Sequence, residues 1–185
     1  MNQPDDLPLL GAAMPSDALP VWRDWLAQGP RDIELQDFFR AEVLDGDWRS
    51  IARAARAELQ GHRGRIGIHG PFMGFDIDTQ DPAVRAIVQK RLDQGLDVCE
   101  ELGATQMVVH SPFKTWTHHN LDNQAGAREK LHERVHAALD KAVGRAERIG
   151  VTLVIENIED KDPQARVQLA RSFGSDRVRV SLDTG

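Results

Sequence analysis

Segments that suit β-strands alternate with segments that suit helices along this chain, and two of the same kind never follow one another. The strand segments are Leu7 to Ala13, Asp32 to Phe38, Arg65 to His69, Thr105 to His110, Thr152 to Glu156 and Val178 to Asp183. Between them lie helical patterns over Leu19 to Gln28, Asp47 to Gln60, Pro82 to Leu102, Ala125 to Ile149 and Pro163 to Phe173. Helix-length connections between strands are what parallel pairing requires, so the alternation predicts an α/β fold with a parallel sheet. Boundary residues agree. Asp81-Pro82 and Asp162-Pro163 each place a capping acid before a proline at the first helical position, and Gly61, Gly103 and Gly150 follow the second, third and fourth helices. The fourth helix carries a buried stripe of Leu131, Val135, Ala138, Leu139, Ala142, Ala146 and Ile149 at three- and four-residue steps.

Two architectures fit strict alternation: an open doubly wound sheet, or the first part of an eight-fold barrel. The first βα turn, Leu10-Gly11-Ala12-Ala13-Met14-Pro15, is not a Gly-x-Gly-x-x-Gly fingerprint, and no other glycine loop is built to cradle a phosphate. A barrel predicts functional side chains at the C-terminal ends of several strands. Glu34, His69, His110, Glu156 and Asp183 all lie in or at the end of predicted strands. The expectation is a parallel (β/α)8 TIM barrel, present as an incomplete barrel of about six strands and five helices. A full barrel takes about 250 residues. The 185 residues here are therefore expected to form one barrel domain truncated before its last two βα units.

Composition narrows the function. With 41% hydrophobic and 28% charged residues, the chain has no apolar run near the roughly 18 residues of a membrane span. Met1-Asn-Gln-Pro-Asp-Asp lacks the charge and apolar core of a secretory signal, so a cytoplasmic protein without a membrane partner is expected. The net charge of −6 disfavours sequence-independent binding to nucleic acid, while leaving room for a local basic cleft. A single cysteine excludes an internal disulfide; Cys99 shares a helical stripe with Leu92, Leu96 and Leu102 and reads as a small core residue rather than a reactive thiol.

The chemistry centres on Thr152 to Ile158, where residues suited to a strand buried on both faces run straight into Glu156. A carboxylate at the mouth of a buried strand needs a partner. Two histidines and two carboxylates at successive strand ends make a divalent-metal cluster plausible, since imidazole suits zinc, iron or manganese and carboxylates suit manganese or magnesium. Taken singly, His69 and His110 each read either as hydrogen-bonded pocket histidines or as ligands, and Glu34 either as a substrate contact or as a solvated acid. Asp183 reads as a ligand because its strand neighbours that of Glu156. His132-Glu-Arg-Val-His136 matches the His-Glu-x-x-His pattern of zinc proteases, yet it lies on an outer-ring helix with no third ligand evident.

His69-Gly-Pro-Phe, the helix ending Glu101-Leu-Gly-Ala, Val108-Val-His-Ser-Pro, Ile155-Glu-Asn and Leu182-Asp-Thr-Gly together resemble the xylose-isomerase-like barrel superfamily, over about Asp32 to Gly185. That group includes sugar and sugar-phosphate isomerases and epimerases, and nucleases of the endonuclease IV type. In the isomerases and epimerases, the resemblance implies that Glu156 and Asp183 bind a divalent metal, with a further histidine and glutamate expected past Gly185. In the nuclease branch it implies that His69, His110, Glu156 and Asp183 all bind zinc. Ser111 to Asn120 holds one lysine and lacks the Pro-Gly pair usual for the nucleases, and the loop after Glu156 is acidic, so the small-sugar branch fits better. Phe113 and Trp116 are expected to wall a polar pocket, and Lys114, His118 or His119 to bond sugar hydroxyls; a surface loop with a solvated histidine pair is the other reading.

The function expected is a sugar or sugar-phosphate isomerase or epimerase working through an enediolate, with manganese, magnesium, cobalt or zinc as cofactor. Glu156 is ligand and proton-transfer base, His69, His110 and Glu34 meet substrate, and Phe72 and Trp116 exclude water. A partner on the opposite sugar face is expected past Gly185, so the chain alone is expected to be inactive. A small-molecule partner follows, nucleic acid is disfavoured, and a homo-oligomer is compatible. The alternatives are a three-zinc phosphodiesterase at abasic DNA, with His69 and His110 as ligands, and a non-catalytic sugar-binding domain.

Overall fold

The computed structural model describes residues 8–121 and 123–184, with His118 and His119 described in their backbone only. Six strands form one sheet in the order β1 (Gly11–Met14), β2 (Asp32–Leu35), β3 (Ile66–His69), β4 (Gln106–His110), β5 (Thr152–Glu156) and β6 (Val178–Ser181). Every neighbouring pair is parallel. A doubly wound sheet reverses its strand order at a switch point, and this one does not. The fold is a partial TIM barrel, and all its strand C-termini emerge on one rim.

Side-chain alternation divides the sheet into two faces. Ile33 and Leu35 of β2, Met107 and Val109 of β4, and Leu153 and Ile155 of β5 are buried in the core that the helices share. The opposite parity, including Glu34, Gly67, Val108 and Val154, lines a concavity of about 610 Å³. This corrects one expectation. β5 is not buried on both faces: Thr152 and Val154 are only half-buried, because six strands leave the inner face open.

Seven α-helices flank the sheet among the described residues, rather than five: α1 (Arg23–Ala27), α2 (Ala41–Asp45), α3 (Trp48–Glu58), α4 (Pro82–Leu102), α5 (Thr115–Asn120), α6 (Ala127–Ile149) and α7 (Pro163–Ser172). The predicted first helix shrinks to α1, after a 3-10 turn at Ser16–Ala18. Pro20 has no N–H with which to continue a regular ladder. The predicted second helix begins one residue later, because Asp47 is its cap and accepts bonds from the Ser50 N–H (3.3 Å) and hydroxyl (2.6 Å). The capping prolines sit as expected: Asp81 accepts from the Ala83 N–H at 2.7 Å and Asp162 from the Gln164 N–H at 2.9 Å. Strand ends were overextended at Phe38, which falls beyond β2 in the core, and at Asp183, beyond β6. Leu7 lies outside the described residues.

Two glycines bring elements together. A Cβ on Gly95 of α4 would stand 2.7 Å from the Met107 sulfur, so glycine lets this helix lie close on β4. A Cβ on Gly70, just after β3, would stand 2.3 Å from the Val108 carbonyl oxygen, which itself accepts the Gly70 N–H at 3.1 Å. No helix among the described residues is long and apolar enough to cross a membrane.

Candidate metal centre

His69 ends β3, while His110 and Glu156 end β4 and β5 at paired positions. All three share the inward parity of their strands, so the pleat turns them to the same side of the rim. One nitrogen or oxygen from each lies within 4.8 Å of the others. The Nε2 atoms of His69 and His110 are 3.3 Å apart, and His69 Nε2 is 3.9 Å from Glu156 Oε2. Both the His69 and Glu156 side chains are largely buried, at 11% and 16% exposure.

This arrangement fits a transition-metal ion. His69 Nδ1 is 3.1 Å from the Gly70 carbonyl and donates its proton there, which leaves the neutral ring's lone pair on Nε2. Two nitrogens bound to zinc at about 2.1 Å and at the tetrahedral angle stand about 3.4 Å apart, close to the separation of the two imidazoles. Gly70 thus matters twice: its missing Cβ lets the chain pass the Val108 carbonyl, and its own carbonyl anchors the His69 ring.

Aromatic rings hold the imidazoles. Phe72 stacks on His110 with centroids 3.9 Å apart and on Phe39 at 5.2 Å, and it also touches His69 at 4.9 Å. Burial, followed by the neighbouring His69 and Lys114, pushes His110 down to about 4, which keeps it neutral near pH 7. Burial pushes Glu156 up, and Glu34 and Asp183 add to the shift while His69 and Arg166 oppose it. Glu34 is raised by burial and by Asp183, against His69 and a bond from Gln36 at 2.6 Å. Crowded carboxylates that ionise reluctantly are what a cation relieves.

The structure places the expected site residues unevenly. Glu34 faces the cluster from β2. Asp183 acts on Glu34 and Glu156 through its charge, but it is not a member of the close trio. Phe72 lines a cavity of about 560 Å³ that also reaches His110, Lys114 and Glu159. Trp116, expected as a water-excluding wall, is instead 80% exposed, since α5 turns it outward. Phe113 is fully buried in the core rather than in the pocket wall. Lys114 is paired with Asp76 at 2.6 Å, and the side chains of His118 and His119 lie outside what the structure describes. Sequence reasoning missed Phe39; an aromatic residue just past a strand end was its only signal. The His132 to His136 motif lies on α6, where His136 bonds Asp140 at 2.9 Å and Ser172 at 2.8 Å and stacks on Phe173. Both nitrogens of His136 are thus engaged within the protein.

Residues 29–185 match the family described as the xylose isomerase-like TIM barrel, and the chain belongs to that family. A Thermus thermophilus protein, solved after soaking with zinc chloride, is 25% identical with a TM-score of 0.65 over 95% of this chain and 65% of its own. D-psicose 3-epimerase from Clostridium cellulolyticum H10, solved with D-tagatose, is 16% identical with a TM-score of 0.64, over 96% of this chain and 64% of its own. An AP endonuclease, family 2, from Brucella melitensis is 15% identical with a TM-score of 0.66, over 96% and 69%. The latter two likenesses show the fold alone. The chain thus spans about two thirds of the length of these relatives. No curated protein matches it in sequence.

Proposed function

We propose that the rim holds a divalent metal ion and that the protein isomerises or epimerises a small sugar or sugar phosphate by moving a carbon-bound proton. The observation that carries this reading is the convergence of His69, His110 and Glu156 within 4.8 Å. His69 and His110, expected from sequence to meet substrate in the sugar branch, would here hold the ion with Glu156, and Asp183 would join from just beyond β6. Two imidazoles favour zinc, cobalt or manganese over magnesium. When bound, the ion supplies positive charge where an oxyanion develops on the substrate. Glu156, at the rim beside the site of the ion, is the carboxylate placed to take the proton from carbon. Glu34, held by Gln36, accepts a bond from a substrate hydroxyl. Phe72 and Phe39 keep water from the reacting face.

A small substrate fits the surroundings better than a nucleic acid. Lys114, the one lysine lining the neighbouring cavity, is already neutralised by Asp76, and Glu159 lines the same space. Phosphates of a duplex would meet more acid than base there. The test, run on the complete protein, is exchange of substrate carbon-bound hydrogen with deuterium oxide, across a panel of ketoses and their phosphates with added cobalt or manganese. Exchange by the wild type and its loss by at least about a thousandfold in Glu156→Gln supports the reading. Absence of exchange, with no response of the melting temperature to any divalent ion, rejects it.

One observation favours a second reading. Paired imidazoles are what the resemblance to the nuclease branch implies for zinc, and His69 and His110 are so paired. Incision of duplex DNA at an abasic site, with about three zinc ions per chain, would establish a phosphodiesterase instead.

A further inference from the structure

β5 and β6 run in parallel register as far as Glu156 opposite Ser181. Past that point the β5 chain turns towards α7, and β6 loses the neighbouring backbone that a parallel ladder supplies. Yet Asp183 is gripped at both its backbone groups. Its N–H donates to Asn157 Oδ1 at 2.9 Å, and its carbonyl accepts from Asn157 Nδ2 at 2.9 Å. The side-chain amide of one residue thus stands in for a rung of the sheet.

We propose that Asn157 is a positioning residue that aims the Asp183 carboxylate at the cation site. Two bonds to the same residue from a rigid planar amide fix the peptide groups on both sides of Asp183, and so the direction of its Cβ. Ser181, the last residue of β6, pairs with Glu156, and Asn157 directly follows Glu156, so the amide holds Asp183 beside the end of β5 from which Glu156 projects. Only asparagine combines a donor and an acceptor at this length. Aspartate would turn an acceptor towards the Asp183 carbonyl and add charge to a carboxylate cluster, glutamine is one methylene longer, and serine offers a single group.

Asn157 is itself held from behind. Asp160 and Arg166 form an ion pair at 2.8 Å, with side chains 2% and 4% exposed, and Asp160 also accepts the Ile158 N–H at 3.4 Å. Glu159 accepts the Thr115 N–H at 2.8 Å and ties the same loop to α5. The loop is therefore braced just after the asparagine, and β5 holds the chain just before it.

This inference rests on the metal-site reading above, and its test separates the two. Cobalt(II) binding is measured by calorimetry and by visible absorption in the wild type, Asn157→Ala, Asn157→Ser, Asp183→Asn, Asn157→Ala with Asp183→Asn, and His110→Ala. Melting temperature is recorded without metal. Asn157→Ala and Asn157→Ser are each expected to weaken cobalt binding by about tenfold and to alter its spectrum, with the metal-free melting temperature little changed. The double variant is expected to bind no more weakly than Asp183→Asn alone, because both changes remove the same carboxylate from the site. Losses that multiply in the double variant, or cobalt binding by both Asn157 variants equal to wild type while His110→Ala loses it, would overturn the role of Asn157 alone. Cobalt binding that is absent in the wild type, or unaffected in His110→Ala, overturns the metal site and this inference together.

Discussion

His110 shows how one residue's surroundings set its chemistry. Its ordinary value near 6.5 is brought to about 4 by burial and by two neighbouring basic groups, His69 and Lys114. A histidine depressed on folding takes up its proton in the unfolded chain first. Its contribution to stability is therefore complete above about pH 6.5 and is lost as pH falls towards 4. Glu34 and Glu156 are raised instead, so their effect runs the other way, and stability declines as pH rises from about 4.5 through their raised values. Chemical denaturation in chelator at pH 7 and pH 5 separates the two: His110→Gln should lose less stability over that interval than the wild type. The reading of Cys99 as a core residue agrees with its complete burial, which pushes the thiol well up. It should resist a disulfide reagent until the protein is unfolded, as a thiol titration with and without denaturant will show.

At the scale of elements, sequence signals were clear where local chemistry is self-sufficient. α4 and its bounds follow from Asp81, Pro82 and Gly103, the last at φ +76°. Replacing Asp81 by alanine removes an acceptor from the Ala83 N–H and should cost about 1 kcal/mol in equilibrium denaturation. α2 and α5 were invisible because helices of five and six residues complete too few turns to display a period. The closest contacts between elements were also hidden. Gly70→Ala would drive a Cβ against the Val108 carbonyl, and backbone must shift to relieve it. The expected result is a loss of about 1–3 kcal/mol in stability, together with weaker metal binding, because the Gly70 carbonyl anchors His69. A loss of stability without any change in metal affinity would detach that carbonyl from the site.

For the molecule as a whole, the site joins parts of the chain far apart in sequence, so an ion that binds only the folded form must stabilise the whole sheet. At a concentration one hundred times its dissociation constant, a divalent ion adds about 2.7 kcal/mol. Thermal melts with zinc, cobalt or manganese should shift upward, a chelator should reverse the shift, and His69→Ala should abolish it. From the sequence alone came the alternation of elements, the parallel sheet, five candidate side chains in or at the ends of predicted strands, and likeness to a barrel family; each depends on periodicity and short motifs. It did not resolve which of those five converge. Tertiary structure selected His69, His110 and Glu156 as the close trio, held Asp183 through Asn157, turned Trp116 outward and placed Phe39 beside His69 and Phe72. The reason is physical: strand pattern determines which face a residue takes, whereas the distance between two residues on one face depends on sheet stagger, close approach at glycine and side-chain bonds, which no single segment of sequence contains.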